Sequence, residues 1–141
     1  MQEPIETVAI VALTNDSVLL IKHTEGADHL LHVYGLPAGR VDEGETFEQA
    51  GYREFEEETG MKAKTLLLSP KDYIAEIPRK DGTKKLFHMT VFLCTEWEGT
   101  LRESQEGVPQ WRAYEELHSL SLLPNVDKAI ADAKALLFAP K

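Results

Sequence analysis

Residues 5–13 (IETVAIVAL) and 17–22 (SVLLIK) are almost unbroken apolar runs, too short for helices and rich in Val and Ile. They predict two strands, and Thr14, Asn15 and Asp16 between them give a hairpin-like turn signal. Residues 24–34 carry no periodicity and read as a loop. Two further β-like runs, 64–77 and 84–95, flank Lys80, Asp81 and Gly82, whose turn chemistry predicts a long hairpin. A short strand is expected from Gln110 to Ala113, leading into Glu115, Glu116 and Leu117. Pro124 and Asn125 then open a closing helix, with Val126, Ile130, Ala133 and Leu137 along one face.

The remaining periodic segment is a helix over residues 47–59. Thr46 followed by Gln49 is a capping-box start, and Gly60 stands where a left-handed C-terminal cap is usual. At about 100° per residue, Glu54, Glu57 and Glu58 project to the same side as Phe47, Ala50 and Gly51, and Glu56 projects to the opposite side. A mid-helix Gly costs about 1 kcal/mol against Ala, so Gly51 implies close packing of this helix on a sheet.

Composition narrows the setting. The 141 residues are 43% hydrophobic, enough for one compact domain spanning 1–141. No apolar run is long enough for a membrane span, and residues 1–10 show no signal-peptide pattern, so a cytoplasmic, membrane-free protein is expected. Cys94 has no partner for a disulfide and lies in the apolar run MTVFLC, which predicts a buried, inert thiol. The formal net charge of −9 argues against binding a nucleic acid polymer and in favour of a small partner. Monomer and homodimer both remain open.

The glutamates carry the chemistry. Carboxylates three and four residues apart on one helix face repel each other and need compensation. Arg53 can reach Glu57 through its i,i+4 spacing and can hold Glu45, but one guanidinium does not neutralise four acids. A hard divalent cation would do so, and all-oxygen ligation points to Mg²⁺, Mn²⁺ or Ca²⁺. A solvated acidic helix gives the same spacing. The preceding segment, Leu36, Pro37, Ala38, Gly39 with Gly44 beyond, favours the metal, because a tight Gly-containing turn can aim a backbone carbonyl at the ion.

From Gly39 through Glu45, Arg53, Glu54, Glu57, Glu58 and Gly60 to Met61, with Phe55 and Met61 at the bulky apolar positions, the chain reads G-x5-E-x7-R-E-U-x-E-E-x-G-U, where U is a bulky apolar residue. This resembles the Nudix box of the Nudix hydrolases. The resemblance implies an α/β/α sandwich with a mixed β-sheet. It also implies hydrolysis of the pyrophosphate bond in a nucleoside diphosphate linked to a moiety X, with Mg²⁺ or Mn²⁺ as cofactor.

By that resemblance Glu57 and Glu58 are the main metal ligands, Ala38 offers its carbonyl, and Glu54 ligates metal or orients the attacking water. Arg53 keeps the glutamates in register, and Arg40 is placed to touch a phosphate. The stretch from Glu106 to Trp111 resembles the corresponding segment of the MutT branch, which makes Glu106 a further candidate ligand, whereas Glu96, Glu98 and Glu103 read as surface acids. Many MutT-branch members have Gly where Ala38 stands, a departure that matters only if φ is positive there.

Asn125 has two readings. It is either a helix N-cap or, by resemblance to the MutT arrangement, a reader of the nucleobase. The substrate expected first is a nucleoside triphosphate, including 8-oxo-dGTP, cleaved to the monophosphate and pyrophosphate. ADP-ribose or a nucleotide sugar is the alternative, and a non-catalytic nucleotide-binding domain is the rival of another class.

Overall fold

The computed structural model describes residues 3–23, 33–79, 81–104 and 107–138. Its first strand, β1 (Ile5–Ala12), and its second, β2 (Ser17–His23), are buried along nearly their whole length. This explains their unbroken apolar sequence, since strands covered on both faces have no polar side to alternate with.

The remaining strands are β3 (Tyr34–Gly35), β4 (Ala38–Arg40), β5 (Lys62–Ala63), β6 (Leu67–Pro78), β7 (Lys84–Cys94), β8 (Trp97–Glu98) and β9 (Gly107–Ala113). Four of them form a sheet in the order β4-β1-β7-β6, with β1 and β7 parallel and the other pairs antiparallel. A second sheet has the order β3-β2-β9, and β5 pairs with β8. The helices are α1 (Phe47–Thr59) and α2 (Val126–Leu137), with a 3₁₀ segment, Tyr114–Ser119, before the latter.

Alternation along β1 and β7 divides the apolar interior in two. Val8, Ile10, Phe92 and Cys94 pack with Ala50 and Phe55 of α1. Ala9, Val11, Val91 and Leu93 pack with Val126, Ala129, Ile130 and Ala133 of α2. Helices therefore cover both faces of a mixed β-structure, the α/β/α layering expected.

The expected hairpin of the first two strands is corrected. The turn forms, with the Thr14 amide donating to the Ser17 carbonyl at 2.9 Å and a bridge between Leu13 and Val18. The strands then part into different sheets. Each needs both faces buried, and one two-stranded ribbon cannot satisfy both clusters.

The strand expected at 110–113 is longer, pairing from Gly107 to Ala113 along all of β2. Pro109 is tolerated within it because β9 is an edge strand of its sheet, where a missing amide donor costs no ladder bond. The strand expected over 64–77 starts later, as β6 from Leu67 to Pro78, and the short β5 ends before it at Ala63. The long β6–β7 hairpin forms, with a register shift between Leu68 and Asp72 around Pro70.

Two facial assignments also change. Phe47 is 40% exposed, because it opens α1 beyond the sheet. Leu137 is 37% exposed, because it closes α2 after the last turn that reaches the core. Cys94 is buried as expected, and loss of hydration pushes its thiol up to about 11. No helix among the described residues is long and apolar enough to cross a membrane.

Candidate active site

α1 is placed by its ends. Thr46 accepts the Gln49 amide at 3.0 Å while the Gln49 side chain accepts the Thr46 amide at 2.9 Å, the reciprocal box read from the sequence. At the other end Gly60 adopts φ 82°, and its amide donates to the Glu56 carbonyl. Gly51 lets the helix lie close, since a Cβ there would meet Leu66 at 2.9 Å and Ile10 at 3.2 Å.

Gly39 on β4 has a sharper purpose. A Cβ at that position would coincide with the Glu54 carboxyl group, so only Gly leaves room for this side chain against the strand. Glu54 is thereby 12% exposed, on a surface that any other residue at 39 would fill.

Arg53 organises the acids. Its Nε and Nη2 donate to the two carboxylate oxygens of Glu45 at 2.7 and 2.9 Å, a bidentate pair. Nη1 donates to Glu54 at 2.6 Å and to Glu57 at 3.2 Å, and Nη2 also donates to the Arg40 carbonyl at 2.9 Å. Asp42 completes the ring at 3.5 Å. The Arg53 hydrogen bond, followed by the Asp42 amide, holds the Glu45 carboxyl down to about 2. Glu45 in turn raises the guanidinium well above its ordinary value, so this ion pair persists throughout the working range of pH.

Glu54, Glu57 and Glu58 line one cavity of about 530 Å³ together with Ala38, Gly39 and Arg40. The cavity passes from these carboxylates over β1 and β7, where Thr7, Phe87 and Met89 form its floor. It then reaches Tyr73, Ala75 and Ile77 of β6, and Leu123, Pro124 and Asn125 also line it. One end is thus a set of hard oxygen donors and the rest is largely apolar, the composition of a small-molecule site.

The donor set suits a hard divalent cation, although no three His, Cys, Asp or Glu side chains among the described residues already converge as a cage. A cage is not required of Mg²⁺, which is usually held by one or two carboxylates together with substrate phosphates.

Ala38, Gly39, Arg40, Glu45, Arg53, Glu54, Glu57, Glu58 and Gly60 therefore fall on the helix, cap and strand around one cavity mouth or its support. Ala38 has no positive φ, so Ala is unstrained where Gly is common. Glu106 lies outside the described residues.

Asn125 lines the cavity but does not cap α2 with its side chain. It adopts φ 68°, a left-handed conformation that Asn tolerates best after Gly, and its Nδ2 donates to the Ile74 carbonyl at 3.5 Å. Asp42, Thr7, Tyr73, Phe87 and Met89 were not foreseen at the cavity. None of them carried a sequence signal, since Thr7, Tyr73, Phe87 and Met89 meet only through strand register.

A family model described as the NUDIX domain matches residues 4–137. The chain belongs to the Nudix family. Its members hydrolyse pyrophosphate bonds in nucleotide derivatives and generally require divalent metal ions, and this chain is a Nudix hydrolase.

Solved structures share the fold. A MutT Nudix hydrolase from Burkholderia pseudomallei matches with TM-score 0.76 at 23% identity, over 93% of this chain and 98% of that one. A MutT protein from Methanosarcina mazei Go1 matches with TM-score 0.78 at 20% identity, over 98% and 99%. The NUDIX domain of Shewanella oneidensis NrtR, in complex with ADP ribose, matches with TM-score 0.77 at 18% identity, over 97% and 90%.

Proposed function

We propose that this Nudix hydrolase cleaves a nucleoside diphosphate linked to X, with Glu54, Glu57 and Glu58 holding Mg²⁺ or Mn²⁺ at the mouth of the cavity. The observation that carries the reading is the Gly39–Glu54–Arg53 arrangement. A carboxylate is seated on a glycine, tied to a guanidinium that also grips two further glutamates, and opens on an elongated cavity.

When bound, the cation neutralises pyrophosphate charge and acidifies water. Arg53 keeps Glu54 and Glu57 from drifting apart, which preserves their alignment at little reorganisation cost. Glu54, the more enclosed of the two, orients the attacking water and accepts its proton. The Ala38 carbonyl and Glu106 complete the ligand set, and the Arg40 guanidinium takes a phosphate oxygen. Water oxygen bonds to phosphorus as the bridging P–O bond breaks, and the released phosphate oxygen is the leaving group.

The nucleoside lies over Thr7, Met89 and Tyr73, with Asn125, which also lines the cavity, reading the base edge. Because the Asn125 side chain does not cap its helix, the base-reading role is favoured over capping. A nucleoside triphosphate, including 8-oxo-dGTP, is the leading substrate, cleaved to the monophosphate and pyrophosphate. ADP-ribose is the second reading, favoured by the length of the cavity along β6.

Product analysis with Mg²⁺ across 8-oxo-dGTP, the ordinary deoxynucleotides, ADP-ribose and a nucleotide sugar tests the proposal. Monophosphate and pyrophosphate from a triphosphate support the leading reading, AMP and ribose phosphate from ADP-ribose support the second, and no metal-dependent turnover on any of them contradicts both.

A further inference from the structure

Strand register lays the cavity-facing side chains out in rows across the sheet. Arg40, Thr7, Met89 and Tyr73 pair in turn through β4, β1, β7 and β6, and all four line the cavity. This row spans three strand spacings, about 14 Å, with the Arg40 position at one end and Tyr73 at the other. A nucleotide laid along it has its phosphates at the carboxylate mouth and its base at β6. The next row lies two residues, about 7 Å, nearer the hairpin turn. There Phe87 pairs with Ile5 on one side and with Ala75 on the other, and Ile77 follows on β6. Phe87, Ala75 and Ile77 also line the cavity.

Two properties set this second row apart. Tyr73 and Met89 pack against the α2-side cluster of the interior, whereas among the described residues neither interior cluster includes Phe87, Ala75 or Ile77. These three are only partly buried, so apolar surface is left at the cavity. The row also has a step. Ala75 carries a single methyl between Tyr73 and Ile77 and opposite Phe87, which leaves the wall lowest beside an aromatic residue.

We propose that Phe87, Ala75 and Ile77 form a subsite for an apolar ring carried on the nucleobase, with Ala75 setting the size of the group admitted. The inference rests on the reading of this cavity as the substrate site and names the class of nucleotide it takes, one whose base bears an aryl or alkyl substituent. None of the three side chains donates or accepts a hydrogen bond, so a sugar or phosphate placed there gives up water without compensation. The length of the cavity along β6 is therefore better filled by a larger base than by a terminal sugar. An aromatic ring gains both from leaving water and from contact with Phe87. An unmodified base over Tyr73 leaves the step at Ala75 open, so selection falls on the substituent.

The test measures dissociation constants by calorimetry for monophosphates that differ only by a benzyl group: AMP with N6-benzyl-AMP, and dGMP with N2-benzyl-dGMP. Monophosphates have no pyrophosphate bond, so binding is read apart from turnover, and product analysis of the four corresponding triphosphates with Mg²⁺ follows. The expected result is about tenfold tighter binding of the benzylated member of at least one pair. In Ala75→Leu, whose added bulk fills the step, the ratio should fall to about one. Phe87→Ala should lower it as well and carries the test if Ala75→Leu fails to fold, which circular dichroism reads. Raising salt should leave the ratio intact, because the contact carries no charge.

Equal affinity within both pairs overturns the subsite, as does weaker binding of both benzylated members. A ratio that survives these substitutions in a folded variant also overturns it. Discrimination in binding without hydrolysis of any of the four triphosphates retains the subsite and removes the hydrolase reading. Hydrolysis of ATP or dGTP without discrimination in binding removes the subsite alone, so the two failures are distinguishable.

Discussion

The two ends of the cavity are built to different tolerances. At the mouth, one guanidinium makes contacts to Glu45, Glu54 and Glu57 between 2.6 and 3.2 Å and a further one to the Arg40 carbonyl. Gly39 leaves Glu54 no alternative position toward the strand. Along the β6 wall, the strand is fastened to α2 by the Tyr73 hydroxyl on Asp132 and by the 3.5 Å contact of Asn125 to the Ile74 carbonyl. Over-determined geometry suits the step that is the same for every substrate. A wall held by a few separable contacts suits the part that differs between substrates, because a change there alters recognition without dismantling the chemistry.

The sharpest way to break this contrast is Gly39→Ala. Its methyl group must displace the Glu54 carboxyl, so turnover should fall on the order of 10²-fold or more. Overpacking should cost about 1–3 kcal/mol, measurable as a lower midpoint in urea. Arg53→Lys comes next, keeping the charge but not the fork. Activity should fall by at least about tenfold, and stability by less than Gly39→Ala, since an ammonium group cannot span Glu45, Glu54 and Glu57 together.

At the β6 wall the effects should be smaller and of another kind. Tyr73→Phe removes the bond to Asp132, costs about 1 kcal/mol of stability, and raises KM more than it lowers kcat. Asn125→Gly keeps the left-handed backbone and deletes the side chain. It should leave stability within about 1 kcal/mol of the parent while changing the ranking of bases, whereas a capping role would predict lost stability with unchanged ranking.

The mouth was legible in the sequence because its parts are local. The Thr46–Gln49 box, the Gly60 cap and the i,i+4 reach of Arg53 all lie within one helix and follow from spacing. The bonds from Arg53 to Glu54 and to the Arg40 carbonyl were not, since the first depends on a rotamer and the second on how β4 meets the helix. The division of β1 and β2 between sheets was hidden for a related reason. An unbroken apolar run carries no periodicity to say which neighbour covers which face. Val126, Ile130 and Ala133 were visible as a helical stripe, but the cavity floor was not, because Thr7, Met89 and Tyr73 come together only through strand register. The left-handed Asn125 has no signal in residue type beyond Asn's tolerance of that conformation.

The smallest expected effect lies beneath the floor. His88 on β7 bridges Asp72 on β6 and Glu6 on β1, the latter at 2.6 Å, and these two carboxylates, Asp72 first, raise its imidazole above the ordinary value. A raised histidine stabilises the fold fully below its unfolded value of about 6.5 and loses that contribution as pH rises through the folded value. Thermal midpoints of the protein relative to His88→Gln should therefore converge between neutral and mildly alkaline pH. A gap that widens with pH would contradict the bridge.

Mg²⁺ titration of turnover, for the protein and for Glu57→Gln, decides whether the α1 carboxylates hold the metal for pyrophosphate cleavage. The Glu57 side chain is 60% exposed, so the swap spares the fold while removing one charge at nearly constant volume. The expected result is a metal-dependent rate in the parent and a loss on the order of 10²-fold or more in Glu57→Gln, with unchanged circular dichroism and with the exposed neighbour variant Glu56→Gln near parent activity. Full activity of Glu57→Gln with the same Mg²⁺ dependence would contradict it.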